Sequence, residues 1–521
     1  MNKTEMLDCL LIFPPFVFPT GFYSKQRACD PPLSLMSLAS YVRQYDYSVM
    51  ILDCNTEFDE TDAEFENYFV ENFVNKYSTI NVIGFNTTTP SINASFRVAE
   101  ICKKYYPDCK MIFGGAHASF VPDECLDKEY IDLVCIGEGE DTLKEVLDGI
   151  PNGDIDGLAY KVNTDNEIQF VRSKARQRNK NLDDLPWPAY DLIDMSKYRP
   201  VLGSFKRLPA TMMVTSRGCP WSCNFCRRPV GKMWTYRSAQ SLFDEMKYLV
   251  EEFGVKDIAI QDDVFTVNEQ RVYDLCDLII ESGIDLRWKC FARADIVSLK
   301  LLKRMNEAGC WGIMYGVENF DQKILDDMKK GIESHKNFEA VQWAKEANIE
   351  VRVCMMVGNV GDTEEIINNN IDLLIKMDPD FISVAIATPF PGHDLYNWAS
   401  KRNLISTYDW DLYYGSTPIL ILDTLSPEDI IRLYRKMTFK FYFRPGFILK
   451  KALRMRSFTE LWINFTAFLG LFYFMVEKVL HLFRPKKTVN NSRNKKVPLS
   501  PSEENKIKKL TETATKQTAI T

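Results

Sequence analysis

Cys219, Cys223 and Cys226 stand in a C-x₃-C-x₂-C spacing inside TSRGCPWSCNFCRRP, Thr215 to Pro229, and an aromatic residue, Phe225, directly precedes the last of them. Thiolates are the ordinary ligands of iron–sulfur clusters. Three of them on one short loop can hold three irons of a [4Fe–4S] cube and leave the fourth iron open. A structural zinc site wants four ligands, usually in closely spaced pairs, and the next cysteine after the trio is Cys276. Gly218, Pro220 and Ser222 make the stretch a loop and not a packed apolar face. Zinc binding and plain core packing of the three cysteines are the competing assignments.

Such a loop needs a scaffold to hold it. TMMVTS, starting near Ala210, reads as a strand feeding it. Further strands are expected at Asp257–Gln261, Arg287–Arg293, Gly312–Val317, Glu350–Val357 and Phe381–Thr388, with helices between them. One of these helices is Ser241–Phe253, where Leu242, Met246, Leu249 and Phe253 fall at helical spacing. Six β/α units predict a partial (β/α)₆ barrel. By analogy with closed barrels its site lies at the strands' C-terminal ends. The polar residues at those ends are Gln261, Asp262 and Asp263, then Arg293, then Glu318, and the turn Gly358-Asn359-Val360-Gly361.

Over residues 1–150, short apolar runs at Met6–Phe13, Ser48–Asp53, Asn81–Asn86, Lys110–Phe113 and Ile131–Ile136 alternate with helical patterns. This predicts a doubly wound parallel sheet, flavodoxin- or Rossmann-like, within an α/β fold. Gly114-Gly115-Ala116-His117 and Gly137-Glu138-Gly139-Glu140 follow two of its strands, at the edge where open sheets bind ligands. Neither G-x-G-x-x-G nor G-x-x-x-x-G-K-S/T occurs, which disfavours dinucleotides and P-loop chemistry. Residues 151–205 read as a connector, with a hairpin and a proline-rich strap. The barrel is expected over 206–425, a C-terminal helical segment over 426–489 and a disordered Lys-rich tail over 490–521.

The chain of 521 residues is long enough for about three domains, and its net charge of −7 gives no case for a nucleic-acid partner. Its N-terminus lacks the apolar run of a signal peptide. A reducing, cytoplasmic setting is expected, and an oxygen-sensitive cluster would need one.

At the cysteine loop the sequence resembles the radical S-adenosylmethionine (SAM) superfamily. GGAHAS followed by CIGEGEDTLKEVL, upstream of the trio, resembles the cobalamin (B12)-binding domain fused to a subclass of it. The resemblance covers most of residues 7–450. It implies that the open iron chelates SAM and that electron transfer yields a 5′-deoxyadenosyl radical. It implies three cofactors: a [4Fe–4S] cluster on Cys219, Cys223 and Cys226, SAM, and cobalamin. Around SAM it suggests Phe225, Gln261, Asp262, Arg293, Glu318 and Gly358. For Glu318 the alternative is a surface carboxylate, and for Arg293 a structural ion pair. Around cobalamin it suggests Gly114, Gly115, His117, Gly137, Glu138 and Gly139. The D-x-H-x-x-G motif that supplies a cobalt ligand in many B12 proteins is absent, so no histidine is expected on cobalt. His117 is a candidate polar contact to the corrin, against the alternative of a satisfied turn histidine. No catalytic acid, base or nucleophile stands out.

Leu461–Val476 carries no charge, and Leu461, Phe465, Phe468, Phe472, Val476, Val479 and Phe483 recur at three- and four-residue steps. Basic residues flank both sides. The run is short for a span, so an interfacial helix over 461–483 is expected, or one packed on the fold. The resulting expectation is a cobalamin-dependent radical SAM enzyme acting on an unactivated carbon, by C-methylation. The alternatives are radical cyclisation or rearrangement of a lipid or tetrapyrrole-like substrate, and a non-catalytic iron–sulfur electron carrier. Its expected partners are a small-molecule or lipid-like substrate, an external electron donor such as flavodoxin or ferredoxin, and a peripheral contact with the inner face of the membrane.

Overall fold

The structure, a computed structural model, describes residues 5–16, 29–58, 62–164, 167–198, 200 and 204–454. The N-terminal strands are β1 (Glu5–Phe13), β2 (Val49–Asp53), β3 (Tyr77–Asn86), β4 (Lys110–Gly114), β5 (Leu133–Cys135), β6 (Leu158–Asn163) and β7 (Ile168–Arg172). They form one sheet in the order β2-β1-β3-β4-β5-β6-β7, parallel through β5 and antiparallel beyond it. Helices cover both faces, which is why the central strands read as continuous apolar runs; Leu10, Leu11 and Ile12 are fully buried. Strand order reverses between β1 and β3, so the crevice of this sheet lies beyond Phe13 and Asn86. The hairpin expected in the connector is not free-standing. Leu158 and Ala159 are buried and pair with Cys135 and Val134, so β6 and β7 extend the sheet.

The second half holds β8 (Ala210–Met213), the two-residue strands β9 (Ser216–Arg217) and β10 (Thr235–Tyr236), then β11 (Asp257–Ile260), β12 (Arg287–Ala292), β13 (Cys310–Glu318), β14 (Glu350–Val357) and β15 (Phe381–Ile386). Six of these lie parallel in the sequential order β8-β11-β12-β13-β14-β15, an open half-barrel. Helices pack on its outside. The helix Ala239–Phe253 starts where the Ser238 hydroxyl accepts the Ser241 N–H at 3.2 Å, and it buries Leu242, Met246 and Leu249. The expected charged helix after Ser426 runs over Pro427–Tyr442 from a Ser426/Asp429 capping box, and Leu433, Met437 and Phe441 enter the barrel core. The whole helix therefore packs on the barrel.

The two halves share apolar packing. Tyr396, Trp410, Tyr413 and Ile419, which follow the last barrel strand, lie in the core on one face of the N-terminal sheet. No helix among the described residues is long and apolar enough to cross a membrane. The helix expected over 461–483 and the tail after it lie outside the described residues.

Candidate functional site

The cysteine loop leaves the mouth of the half-barrel after β8 and is pinned at its base by Asp262. That carboxylate, 2% exposed, accepts the Thr215 N–H at 2.5 Å, the Thr215 hydroxyl at 2.5 Å, the Ser216 N–H at 3.0 Å and the Ser216 hydroxyl at 2.7 Å. Both its oxygens are thus spent on the stem of the loop. Asp262 was expected on SAM; it holds the cysteine loop instead. The next helix, Glu269–Ser282, is capped by Asn268, whose side chain accepts the Arg271 N–H at 3.1 Å. Gly218, at φ 85°, turns the chain into the first cysteine where a Cβ would strike the Met233 carbonyl.

The three thiols lie within electrostatic reach of one another. Burial, then Asp263 and the other two cysteines, push the Cys226 thiol up to about 12, and burial chiefly raises Cys219. Side-chain placement does not by itself close a metal shell, since no three Cys, His, Asp or Glu side chains among the described residues do so. None of the described cysteines is in a disulfide. The donor set still fits an iron–sulfur cluster: three free thiols crowded against a carboxylate, whose thiolate forms only a cationic centre would favour.

The far side of the loop is anchored to the segment after β13. The Asn224 N–H bonds to the Met328 carbonyl at 3.0 Å, and its side-chain amide to Asp327 at 2.8 Å. Glu318, at the end of β13, takes the left-handed conformation with φ 66°, rare for a residue with a side chain. Its carboxylate accepts the Lys330 ammonium at 3.1 Å, and that ammonium stands 5.7 Å from the Phe225 ring. Glu318 and Phe225 are therefore brought together, through a lysine that sequence reasoning missed. Arg293 resolves to the structural alternative. Its fork is bidentate to Asp295 at 3.0 and 2.9 Å, it donates to the Lys330 carbonyl, and it lies 4.4 Å over Trp221 in the cysteine loop. Gln261, the residue after β11, is half-buried and donates its N–H to the Met213 carbonyl at 2.8 Å. Gly358 opens the turn after β14, where Asp362 accepts the N–H groups of Gly358 and Asn359 at 2.9 and 2.8 Å and the Asn319 amide at 3.0 Å. Burial, against these donors, pushes the Asp362 carboxyl up to about 6.

At the edge of the N-terminal sheet, Gly114 ends β4, and Gly115, Gly137 and Gly139 follow β4 and β5; all four are half-buried. A Cβ on Gly115 would strike Asn86 and Thr87, while a Cβ on Gly137 would meet open space. Two expected contacts turn away from this edge. His117 is fully buried, 3.3 Å from the Thr89 hydroxyl, with its ring edge-on to Trp410 at 5.3 Å. Its Nε2 lies 3.8 Å from the Glu124 carboxylate, under the interface between the halves. Glu138 faces Arg217 at 3.3 Å and Arg178 at 3.6 Å and accepts the Asn179 N–H, while Glu140 takes Arg217 at 2.5 Å. Arg217 lies on the stem of the cysteine loop, so these acids dock the N-terminal sheet against that stem. What remains at the edge among the described residues is small residues, which fits a broad planar group.

Arg227, directly after Cys226, closes the arrangement. Its guanidinium reaches the Thr89 hydroxyl at 3.4 Å and stacks 4.5 Å over Phe390. The carboxyl edge of the parallel sheet and the mouth of the half-barrel thus meet across the cysteine loop.

Residues 213–389 match the model of the Radical SAM superfamily, and residues 26–147 that of the B12 binding domain. The chain is 32% identical over 471 residues to an uncharacterized methyltransferase of Pyrococcus horikoshii, covering 86% of this chain and 98% of that one. It is 24% identical to an anaerobic magnesium-protoporphyrin IX monomethyl ester cyclase of Rubrivivax gelatinosus, over 80% of this chain and 75% of that one. Its fold matches that of the radical S-adenosylmethionine methyltransferase TsrM from Kitasatospora setae, solved with cobalamin and a [4Fe–4S] cluster bound, at a TM-score of 0.67 and 16% identity. The match covers 92% of this chain and all of that one. On the length and identity of these matches, the chain belongs to the cobalamin-dependent radical SAM methyltransferase family.

Proposed function

We propose that this enzyme methylates an unactivated carbon of a small molecule held inside the half-barrel. The observation that carries the reading is the approach of Arg227 to Thr89, which sets the cysteine loop against the edge of the B12-binding sheet. When bound, the cluster supplies the electron that splits SAM, and cobalamin carries the methyl group. Cys219, Cys223 and Cys226 would hold the cluster, and the small-residue edge at Gly115 and Gly137 would take cobalamin. Asp262 fixes the loop stem, while Asn224 fixes its far side. Glu318 and Lys330 lie beside Phe225 of the loop, where a carboxylate and an ammonium would meet the amino and carboxylate groups of SAM. Tyr396, Trp410 and Tyr413 pack into the core of the N-terminal sheet and hold the two halves together.

Reduction requires an external one-electron donor of the flavodoxin or ferredoxin kind. A lipid-like substrate and peripheral membrane contact rest on the amphipathic pattern of 461–483 in the sequence. Anaerobic reconstitution with trideuteromethyl-SAM tests the reading. Methylation releases 5′-deoxyadenosine and S-adenosylhomocysteine together and moves the label to the acceptor. Cyclisation or rearrangement releases 5′-deoxyadenosine with no label transfer.

A further inference from the structure

The turn Thr388-Pro389-Phe390-Pro391-Gly392, which follows β15, delivers His393 to the junction of three elements. A Cβ on Gly392 would strike the Phe120 ring, so the turn lies hard against the N-terminal half. The Leu395 N–H, at the start of the helix Asp394–Ser400, bonds to the Asn224 carbonyl of the cysteine loop at 2.9 Å. The His393 ring packs on Phe390 with 5.5 Å between centroids, and the Arg227 guanidinium lies 4.5 Å from the same Phe390 ring. Imidazole and guanidinium therefore share one aromatic neighbour, directly after the last cysteine of the trio.

His393 is 4% exposed, and among the described residues neither of its ring nitrogens has a hydrogen-bond partner. Burial, then the charges of Arg227 and Arg228, hold the ring well below the usual histidine range, and no carboxylate is among the charges acting on it. The ring is therefore neutral, with one N–H to donate and one lone pair. Arg227 is half-buried. Its guanidinium makes one long hydrogen bond, to Thr89, and the charge acting on it is that of Cys226, not of a carboxylate. Arg228 donates to the Trp221 carbonyl at 2.8 Å. A buried polar side chain without any partner is rare in a folded chain. Here an unused donor stands where two arginines make the local field positive.

We propose that His393 and Arg227 form a subsite for a carboxylate or phosphate of the methyl acceptor, whose oxygens take the imidazole N–H and the guanidinium while Phe390 lies against the acceptor's body. An oxyanion satisfies the unused donor and suits the positive field, whereas an ammonium is repelled by the same two arginines. Asn224, two residues before Cys226, is bonded to the residue two after His393, so the anionic group is held beside the cysteine loop. The acceptor is then an organic acid or a phosphate ester. This rests on the proposed function, because it names the substrate class of that site.

The test uses the full-length, anaerobically reconstituted protein with SAM and no reductant, with and without cobalamin, and equilibrium dialysis of three labelled probes: benzoate, phenyl phosphate and benzyl alcohol. In the cobalamin-loaded protein at least one acid should bind about tenfold or more tightly than the alcohol, as expected for hydrogen bonds to a charged group. Which acid wins identifies the anion as carboxylate or phosphate. H393F and H393L should lose the preference, and R227K, which keeps the charge, should retain it. Melting temperatures without probe separate a binding role from a structural one. A ring with no partner in the probe-free fold costs stability, so at least one of H393F and H393L should melt no lower than wild type. Both variants melting lower, full preference in either of them, or equal binding of all three probes to wild-type enzyme that splits SAM, overturns this inference alone. A preference seen only without cobalamin gives the subsite to the cofactor and overturns it too. Wild-type enzyme that loads the cluster and cobalamin yet never splits SAM overturns the proposed function instead.

Discussion

The guanidinium of Arg227 stands 3.4 Å from the hydroxyl of Thr89, joining the residue after the last cluster cysteine to the turn after β3 of the B12-binding sheet. These residues are 138 apart in sequence. Their approach makes one reaction space of two carboxyl edges, each of which on its own is a common ligand-binding edge.

Removing the Asp262 carboxylate should loosen the cysteine loop at its stem. Asp262→Ala leaves the N–H and hydroxyl groups of Thr215 and Ser216 buried without acceptors, at about 1–3 kcal/mol for each group left unsatisfied. Lower thermal stability and lower iron content after reconstitution are the expected results. Full iron content at wild-type stability would show that the stem holds without it.

Glu318→Gln keeps size and removes charge. The Glu318–Lys330 pair is well buried, so Lys330 loses its counter-charge, and SAM affinity, read by calorimetry on the reconstituted protein, should fall about tenfold or more. Unchanged SAM affinity would place Glu318 outside the SAM site and leave the pair a structural one.

His117 is fully buried, edge-on to Trp410 and against Thr89, and is assigned no cobalt. Electron paramagnetic resonance of the cob(II)alamin-loaded protein should show no nitrogen splitting from a lower axial ligand. Such splitting, lost in His117→Ala, would contradict the placement of this histidine.

Asp362 makes stability depend on pH. Its carboxyl is raised to about 6 by burial, so the folded chain holds the proton more tightly than the unfolded chain does. The stability this contributes is fully present below the ordinary aspartate range near ~4 and is lost as pH rises through about 6. Asp362→Asn cannot titrate. The stability difference between wild type and this variant, from urea midpoints, should therefore move against wild type between pH 5 and pH 7. A difference that does not change with pH would mean that the donors around Asp362 keep it ionised throughout.

Much of this was legible in local sequence. Short apolar runs ended by Gly, Pro or Asp gave strands close to those observed, because both faces of a parallel sheet are buried and leave continuous hydrophobic stretches. The cysteine loop was legible because all its ligands fall within eight residues. Pairings across long separations were not. Nothing local says that Lys330 turns back to Glu318, or that Arg217 meets Glu138 and Glu140 79 and 77 residues away. For the same reason Asp262, Arg293, His117 and Glu138 were expected on cofactors. A polar residue at a strand end can face a ligand or dock a neighbouring element, and only the packed chain decides. Arg227 did carry a signal, a cation next to a cluster cysteine, but its partner lies in the other half of the protein.

The proposed chemistry depends most on the loop Cys219–Cys226 holding a cluster that splits SAM. The direct measurement is iron and sulfide content, together with 5′-deoxyadenosine release under reducing, anaerobic conditions, for wild type and Cys223→Ala side by side. Wild type should carry a full [4Fe–4S] complement and release 5′-deoxyadenosine, and the variant should lose both. A variant that keeps its iron and sulfide and still releases 5′-deoxyadenosine would contradict the assignment.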